Sequence, residues 1–151
     1  FLIISERKKN IMIQCVTLGM IDGSVNNPVI KLETDTKNYQ FVTVDGDVYL
    51  IANTLVGDDF GKEDVTFKAG EYLDGYLVKK WDTQELDVDE KHIAYASGKS
   101  YADLAKDNIL TIDGNGKLAV AERAPDTGVY FKIVDKCRLT EKAVRVKVIV
   151  A

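Results

Sequence analysis

The sequence predicts an all-β domain, or a β-rich one with a single short helix, built as an antiparallel barrel or sandwich behind an extended N-terminal arm. Three observations predict it. The C-terminal run Val144-Arg145-Val146-Lys147-Val148-Ile149-Val150 puts four valines on one face and two cations on the other, the period-two alternation of a half-buried strand. Asp45-Gly46 and Asp113-Gly114-Asn115-Gly116 lie between β-branched or aromatic runs, and such residues tolerate the positive φ of tight hairpin turns. The remaining apolar runs are short, closely spaced and bounded by turn residues, with only two prolines in the chain, a spacing typical of antiparallel sheets.

Taken in order, residues 1–38 read as the arm or as a few short strands, broken at Asp22-Gly23-Ser24 and Asn26-Asn27-Pro28. Residues 39–151 read as one β domain. Tyr39 to Val44 and Asp47 to Ala52 form the first hairpin, and Leu55 to Asp64 a loop. Val65 to Lys68, Tyr72 to Trp81, Leu86 to Val88 and His92 to Ala96 read as strands. Ser100 to Lys106 is the one helical segment, because Ser100 can cap its first turn and Asp103 stands where a capping box places a carboxylate. Ile109 to Ile112 and Lys117 to Ala121 make the clearest hairpin. Gly128 to Asp135 then supplies a neighbour for the C-terminal strand, through a polar link at Lys136 to Lys142.

At 151 residues the chain has the length of one domain, which buries roughly 70% of the surface its unfolded form exposes. A hydrophobic share of 46% and a charged share of 29% match an ordinary soluble protein. No apolar run approaches the roughly 18 residues of a spanning helix. The formal charge of −4 disfavours a sequence-independent grip on nucleic acid, which needs clustered Lys and Arg. Cys15 and Cys137 are distant and lack Cys or His neighbours, so two reduced, partly buried thiols are expected rather than a disulfide. The chain opens Phe1-Leu2-Ile3-Ile4, and its first methionine is Met12. Basic residues follow that apolar run instead of preceding it, so a secretory signal fits poorly. Either Met12 is the start and Glu6-Arg7-Lys8-Lys9 a translated ribosome-binding stretch, or a protease has removed an earlier segment, and intact mass would distinguish them.

The motifs that carry chemistry elsewhere are incomplete. Gly98-Lys99-Ser100 has the ending of a phosphate-binding loop, but that loop needs a glycine five residues earlier, where Ile93 stands. A turn with an exposed Lys and a capping Ser explains the same residues. Asp58, Asp59, Glu63 and Asp64, then Asp87, Asp89 and Glu90, then Asp113, are acidic clusters without EF-hand spacing, and Lys117 falls where a third ligand would follow Asp113 and Asn115. These read as solvated carboxylates. His92 is the only histidine, so any triad or zinc site would need it, and a structural role is the expectation. Trp81, Tyr72, Tyr76 and Tyr95 either line a sugar- or peptide-binding face or serve as core and cross-strand aromatics. The expectation is therefore no catalytic, cofactor-binding or metal-binding residue, and no enzyme.

Three stretches of the second half, Lys106 to Leu118, Thr127 to Val134 and Ala143 to Val150, resemble the capsid decoration proteins of tailed bacteriophages. In that family a strand, an Asp/Gly turn and a Gly-Lys strand are followed by a Gly-Val strand and a closing Val-x-Val-x-Val strand. The resemblance spans roughly Glu71 to Val150 and departs at Lys106-Asp107, where the family has Gly-Asp, and in a longer acidic middle segment. It implies a β-tulip fold and a structural virion protein that stabilises the capsid by binding where capsomers meet. Its partners would be the major capsid protein or other virion proteins, with homo-oligomers on the particle and neither nucleic acid nor membrane bound directly. Other virion roles (tail, neck or head fibre) and a carbohydrate- or peptide-binding module are the alternatives.

Overall fold

The computed structural model describes residues 28–52, 65–138 and 142–151. Of these, 49% lie in strands and 9% in helix, and no helix reaches seven residues, so the domain is all-β. In chain order the strands are β1 (Val29–Lys31), β2 (Thr36–Lys37), β3 (Phe41–Val44), β4 (Asp47–Leu50), β5 (Thr66–Phe67), β6 (Tyr72–Asp74), β7 (Tyr76–Leu77), β8 (Glu85–Asp89), β9 (Ile93–Ala94), β10 (Ile109–Ile112), β11 (Leu118–Ala121), β12 (Val129–Arg138) and β13 (Lys142–Val150). Single 3₁₀ turns occupy Val78–Trp81, Glu90–His92 and Tyr101–Asp103.

The main sheet is curled and has six strands in the order β8-β13-β12-β10-β11-β9, antiparallel except where β9 joins β11. Its inner face carries Leu86, Val88, Leu110, Leu118, Phe131, Ile133, Val144, Val146 and Val148, all buried. Against that face stands the three-stranded sheet β3-β4-β7. Phe41 and Leu50 join the main core, and the Phe41 and Phe131 rings meet at 5.4 Å. The other side of the same hairpin, with Val42, Val44 and Tyr49, packs on a second cluster formed by Ile30, Leu32, Ile51 and Phe67. A strand pair buried on both faces reads as a continuous apolar run rather than an alternating one, which is why Phe41-Val42-Thr43-Val44 shows little polar alternation. The β1-β6 and β2-β5 pairs enclose that second cluster.

Both predicted turns form. Asp45 and Gly46 have φ of 51° and 84°, the two left-handed residues of a type I′ hairpin. In the 113–116 turn the Asp113 carboxylate accepts from the Asn115 and Lys117 N–H groups at 2.8 and 2.9 Å. Gly116, at φ 81°, lies so close to the first hairpin that an added Cβ would stand 2.9 Å from the Phe41 carbonyl oxygen. Phe41 donates its N–H to the Gly116 carbonyl at 3.0 Å, so this turn ties the two layers together.

Four details differ from what the sequence predicts, the first being that of His92 to Ala96 only Ile93–Ala94 (β9) is strand, while His92 ends a 3₁₀ turn. Tyr72 to Trp81 is not one strand. It breaks at Gly75, where a Cβ would meet Ile30 and Tyr49 side chains at 3.0 to 3.2 Å, and ends in a 3₁₀ turn that buries Val78 and Trp81. The segment Ser100 to Lys106 forms only a 3₁₀ turn at Tyr101–Asp103, although the Asp103 carboxylate does accept the Ser100 N–H at 2.8 Å. Strand β12 runs on to Arg138, into the expected polar link, after a bulge between Ile133 and Asp135. The expected loop at 55–64 and residues 1–27 of the expected arm lie outside the described residues. No helix among the described residues is long and apolar enough to cross a membrane.

Candidate functional site

The six-stranded sheet is the largest sheet among the described residues, and its outer face sets side chains of several strands side by side. Alternation decides its residues: with Val144, Val146 and Val148 turned inward, β13 presents Arg145, Lys147 and Ile149 outward. The register carries the pattern across the sheet. Arg145 stands between Asp87 on β8 and Asp135 on β12, and Lys147 stands between Glu85 and Lys132. Ile149 is opposite Tyr130, and Lys132 is in turn opposite Ile109 on β10.

The Arg145 row is electrostatically closed. Its guanidinium donates to both Asp87 oxygens, from Nε at 2.8 Å and from Nη2 at 3.2 Å, the planar two-point geometry of a strong charge-assisted pair. That hydrogen bond, then the Asp87 charge, raises the Arg145 pKa further. Asp87 is buried, and the half-buried Cys137 thiol next to it is free. Burial, then the Asp87 charge, pushes that thiol up to about 12, so it is protonated and a poor nucleophile at neutral pH. At the same end of the sheet Tyr101 donates its hydroxyl to the Ala143 carbonyl at 2.8 Å, with the Lys136 and Lys142 ammoniums 4.7 and 5.7 Å from its ring centre.

The residues singled out from sequence are not gathered into one site. Trp81 is buried and pairs with Tyr76 at 5.7 Å, and Tyr95 packs on the core and donates its hydroxyl to the Glu90 carbonyl. Burial and then the Glu90 charge raise its pKa to about 12. Tyr72 alone of the four is strongly exposed, at 70%, on the β1-β6 ladder with Lys31 over its ring at 5.8 Å. Gly98 takes φ 79° and the Lys99 N–H closes a turn on Ala96, while Ile93 is core. Asp89 accepts from the Lys91 N–H, and half-buried His92 ends the adjacent 3₁₀ turn. Asp58, Asp59, Glu63, Asp64 and Cys15 lie outside the described residues. Among the described residues no three His, Cys, Asp or Glu side chains gather as metal ligands. An open groove of about 710 Å³ lies between residues 32–44 and the 112–116 turn, edged by Gln40, whose carbonyl accepts the Lys37 N–H. Comparison with protein-family models, curated proteins and solved structures finds no match.

Proposed function

We propose that this chain is a structural virion protein of a tailed bacteriophage, one that decorates the capsid and stabilises it at capsomer junctions. The observation that carries the reading is the arrangement of the three resembling stretches. Lys106 to Leu118 spans β10, its turn and the start of β11, Thr127 to Val134 opens β12, and Ala143 to Val150 fills β13. These strands are consecutive neighbours, β13-β12-β10-β11, in one sheet. They therefore form one continuous surface rather than three unrelated hairpins.

A continuous β surface suits this role for a physical reason. Docking it loses little backbone entropy, and many copies on a closed shell let modest single interfaces add up. Homo-oligomers and contacts with the major capsid protein belong to the same proposal. A carbohydrate-binding module is less well supported, because Trp81, Tyr76 and Tyr95 are committed to the core and its margin.

The test is to purify intact particles from the source culture by density gradient, quantify the chain by mass spectrometry, and locate it by immunogold labelling. A fixed stoichiometry with label spread over the head is expected. Label confined to tail or neck would replace decoration by another virion role. A chain found only in the soluble fraction would end the virion reading.

A further inference from the structure

We propose that the outer face of the six-stranded sheet docks an acidic protein surface, whose carboxylates seat between Lys132 and Lys147 beside the apolar pair Tyr130 and Ile149. This deepens the assembly function proposed above, and rests on it, by assigning the docking face and the partner's chemistry.

The starting point is a mismatch between two adjacent rows of the same face. In the Arg145 row the charges alternate across three strands and the central cation is held by two hydrogen bonds to Asp87. In the next row Lys132 and Lys147 are direct cross-strand partners. Directly opposed side chains in an antiparallel pair have Cβ atoms about 5 Å apart, and like charges there repel. Glu85 lies on the far side of Lys147, yet among the described residues neither lysine has a carboxylate within ion-pair distance. Two adjacent ammoniums on the outer face thus make no ion pair among the described residues, although Glu85 stands as close to Lys147 in the register as Lys132 does, a local conflict of the kind that natural sequences keep at functional sites.

A carboxylate from outside would resolve it. Placed between the two ammoniums it would gain two ion pairs and remove their repulsion, so the pair favours the bound state over the free one. Two residues further along both strands, Tyr130 faces Ile149, and Ile109 stands beside Lys132. All three are half-buried, offering apolar area next to the cations as interface cores do. The rest of the face identifies the anion. Glu85, Asp87 and Asp135 border the lysines and would repel a continuous phosphate backbone, whereas isolated carboxylates on a protein surface can avoid them.

The test uses the whole chain and a short fluorescein-labelled peptide of alternating glutamate and leucine, titrated by anisotropy at low salt. Wild type should bind it, and Lys132→Gln/Lys147→Gln should bind about tenfold more weakly, the scale of two exposed ion pairs. Lys136→Gln/Lys142→Gln, which removes the cations over Tyr101, should bind like wild type. Unfolding midpoints of both variants verify that they are folded, and the single Lys132→Gln variant stands in if the double one is not. No binding by wild type, equal affinity in the Lys132/Lys147 variant, or tighter binding of an oligothymidylate of the same charge would each overturn the inference. Particle loading keeps the two proposals apart. If the double variant loads as wild type does, this face is wrong and the decoration role stands. If wild type binds the peptide yet never bands with particles, the decoration role is wrong and the face stands.

Discussion

Val146→Asp probes the sheet where the structure makes the outcome sharpest. Val146 lies in β13 with Leu86 opposite on one side and Ile133 on the other, and all three are at most 1% exposed. Losing the buried valine forfeits about 1.5–3 kcal/mol. The incoming carboxyl, even neutral, adds roughly 1–3 kcal/mol because nothing in that apolar layer can hydrogen-bond it. Slipping β13 by one residue offers no escape, since it would turn Arg145 and Lys147 into the core and break the Arg145–Asp87 pair. The total of about 3–6 kcal/mol compares with a typical domain stability of about 5–15 kcal/mol, so the variant should be marginal or unfolded.

Urea unfolding followed by Trp81 fluorescence measures this directly, because Trp81 is the only tryptophan and is buried beside Tyr76. The damage should also depend on pH. Burial raises the folded pKa of the new carboxyl above its unfolded value of about 3.9, so whatever stability remains is greatest below pH 4 and is lost as pH rises. Val146→Asn, which cannot ionise, should show no such trend. Equal midpoints for Val146→Asp and wild type at pH 7 would refute the half-buried strand and the packing argument with it.

Glycine substitutions should grade by geometry. Gly116→Ala should cost about 2–3 kcal/mol, since it combines positive φ with backbone at 2.9 Å. Gly46→Ala, at φ 84° but in open space, should cost about 1 kcal/mol, and Gly114→Ala, in open space, less than about 0.5 kcal/mol. Equal effects in urea melts would contradict the contact between the 113–116 turn and Phe41. Alkaline pH should destabilise the fold, because the Cys137 pKa lies above the ordinary thiol value of 9.0 and is raised to about 12. A raised pKa gives stability that is complete below the unfolded value and lost as pH climbs towards the folded one, so unfolding midpoints should fall between pH 9 and 12 and fall less in Cys137→Ser. In a Cys15→Ser background, native Cys137 should alkylate far more slowly at pH 8 than the same thiol in urea. Lys147→Glu should shift stability by less than about 0.5 kcal/mol, because it exchanges repulsion from Lys132 for repulsion from Glu85; a larger loss would mean that Lys147 is not at a solvent-facing position.

What was legible in the sequence is what neighbouring residues decide. Asp45-Gly46 dictates its turn through the φ angles that those two residues tolerate, and β13 declares its inner face by alternation. Val150 departs from that pattern at 37% exposure for a reason no local signal carries. The β8 pairing ends at Glu85 opposite Lys147, so Val150 has a strand beside it only on the Val129 side. Gly75 reads as a tolerated strand glycine until Ile30 and Tyr49, remote in sequence, approach it. The candidate face was half visible in the same way. Lys147 could be assigned outward from its own strand, but Lys132 becomes its neighbour only through the β12-β13 register.

That register turns on the bulge beyond Ile133. Up to that point Phe131 and Ile133 face inward, and strict alternation would send Asp135 inward as well, opposite Val144 in the core. The extra residue, Val134, shifts the pairing so that Asp135 meets Arg145 and Lys136 meets Val144, which returns the carboxylate to the outer face. The same shift stops short of Lys132, leaving it in phase with Lys147. One bulge therefore separates a row in which Arg145 stands between two carboxylates from a row in which Lys147 stands between Glu85 and Lys132, and it is the row with two adjacent ammoniums that has something to gain from a partner.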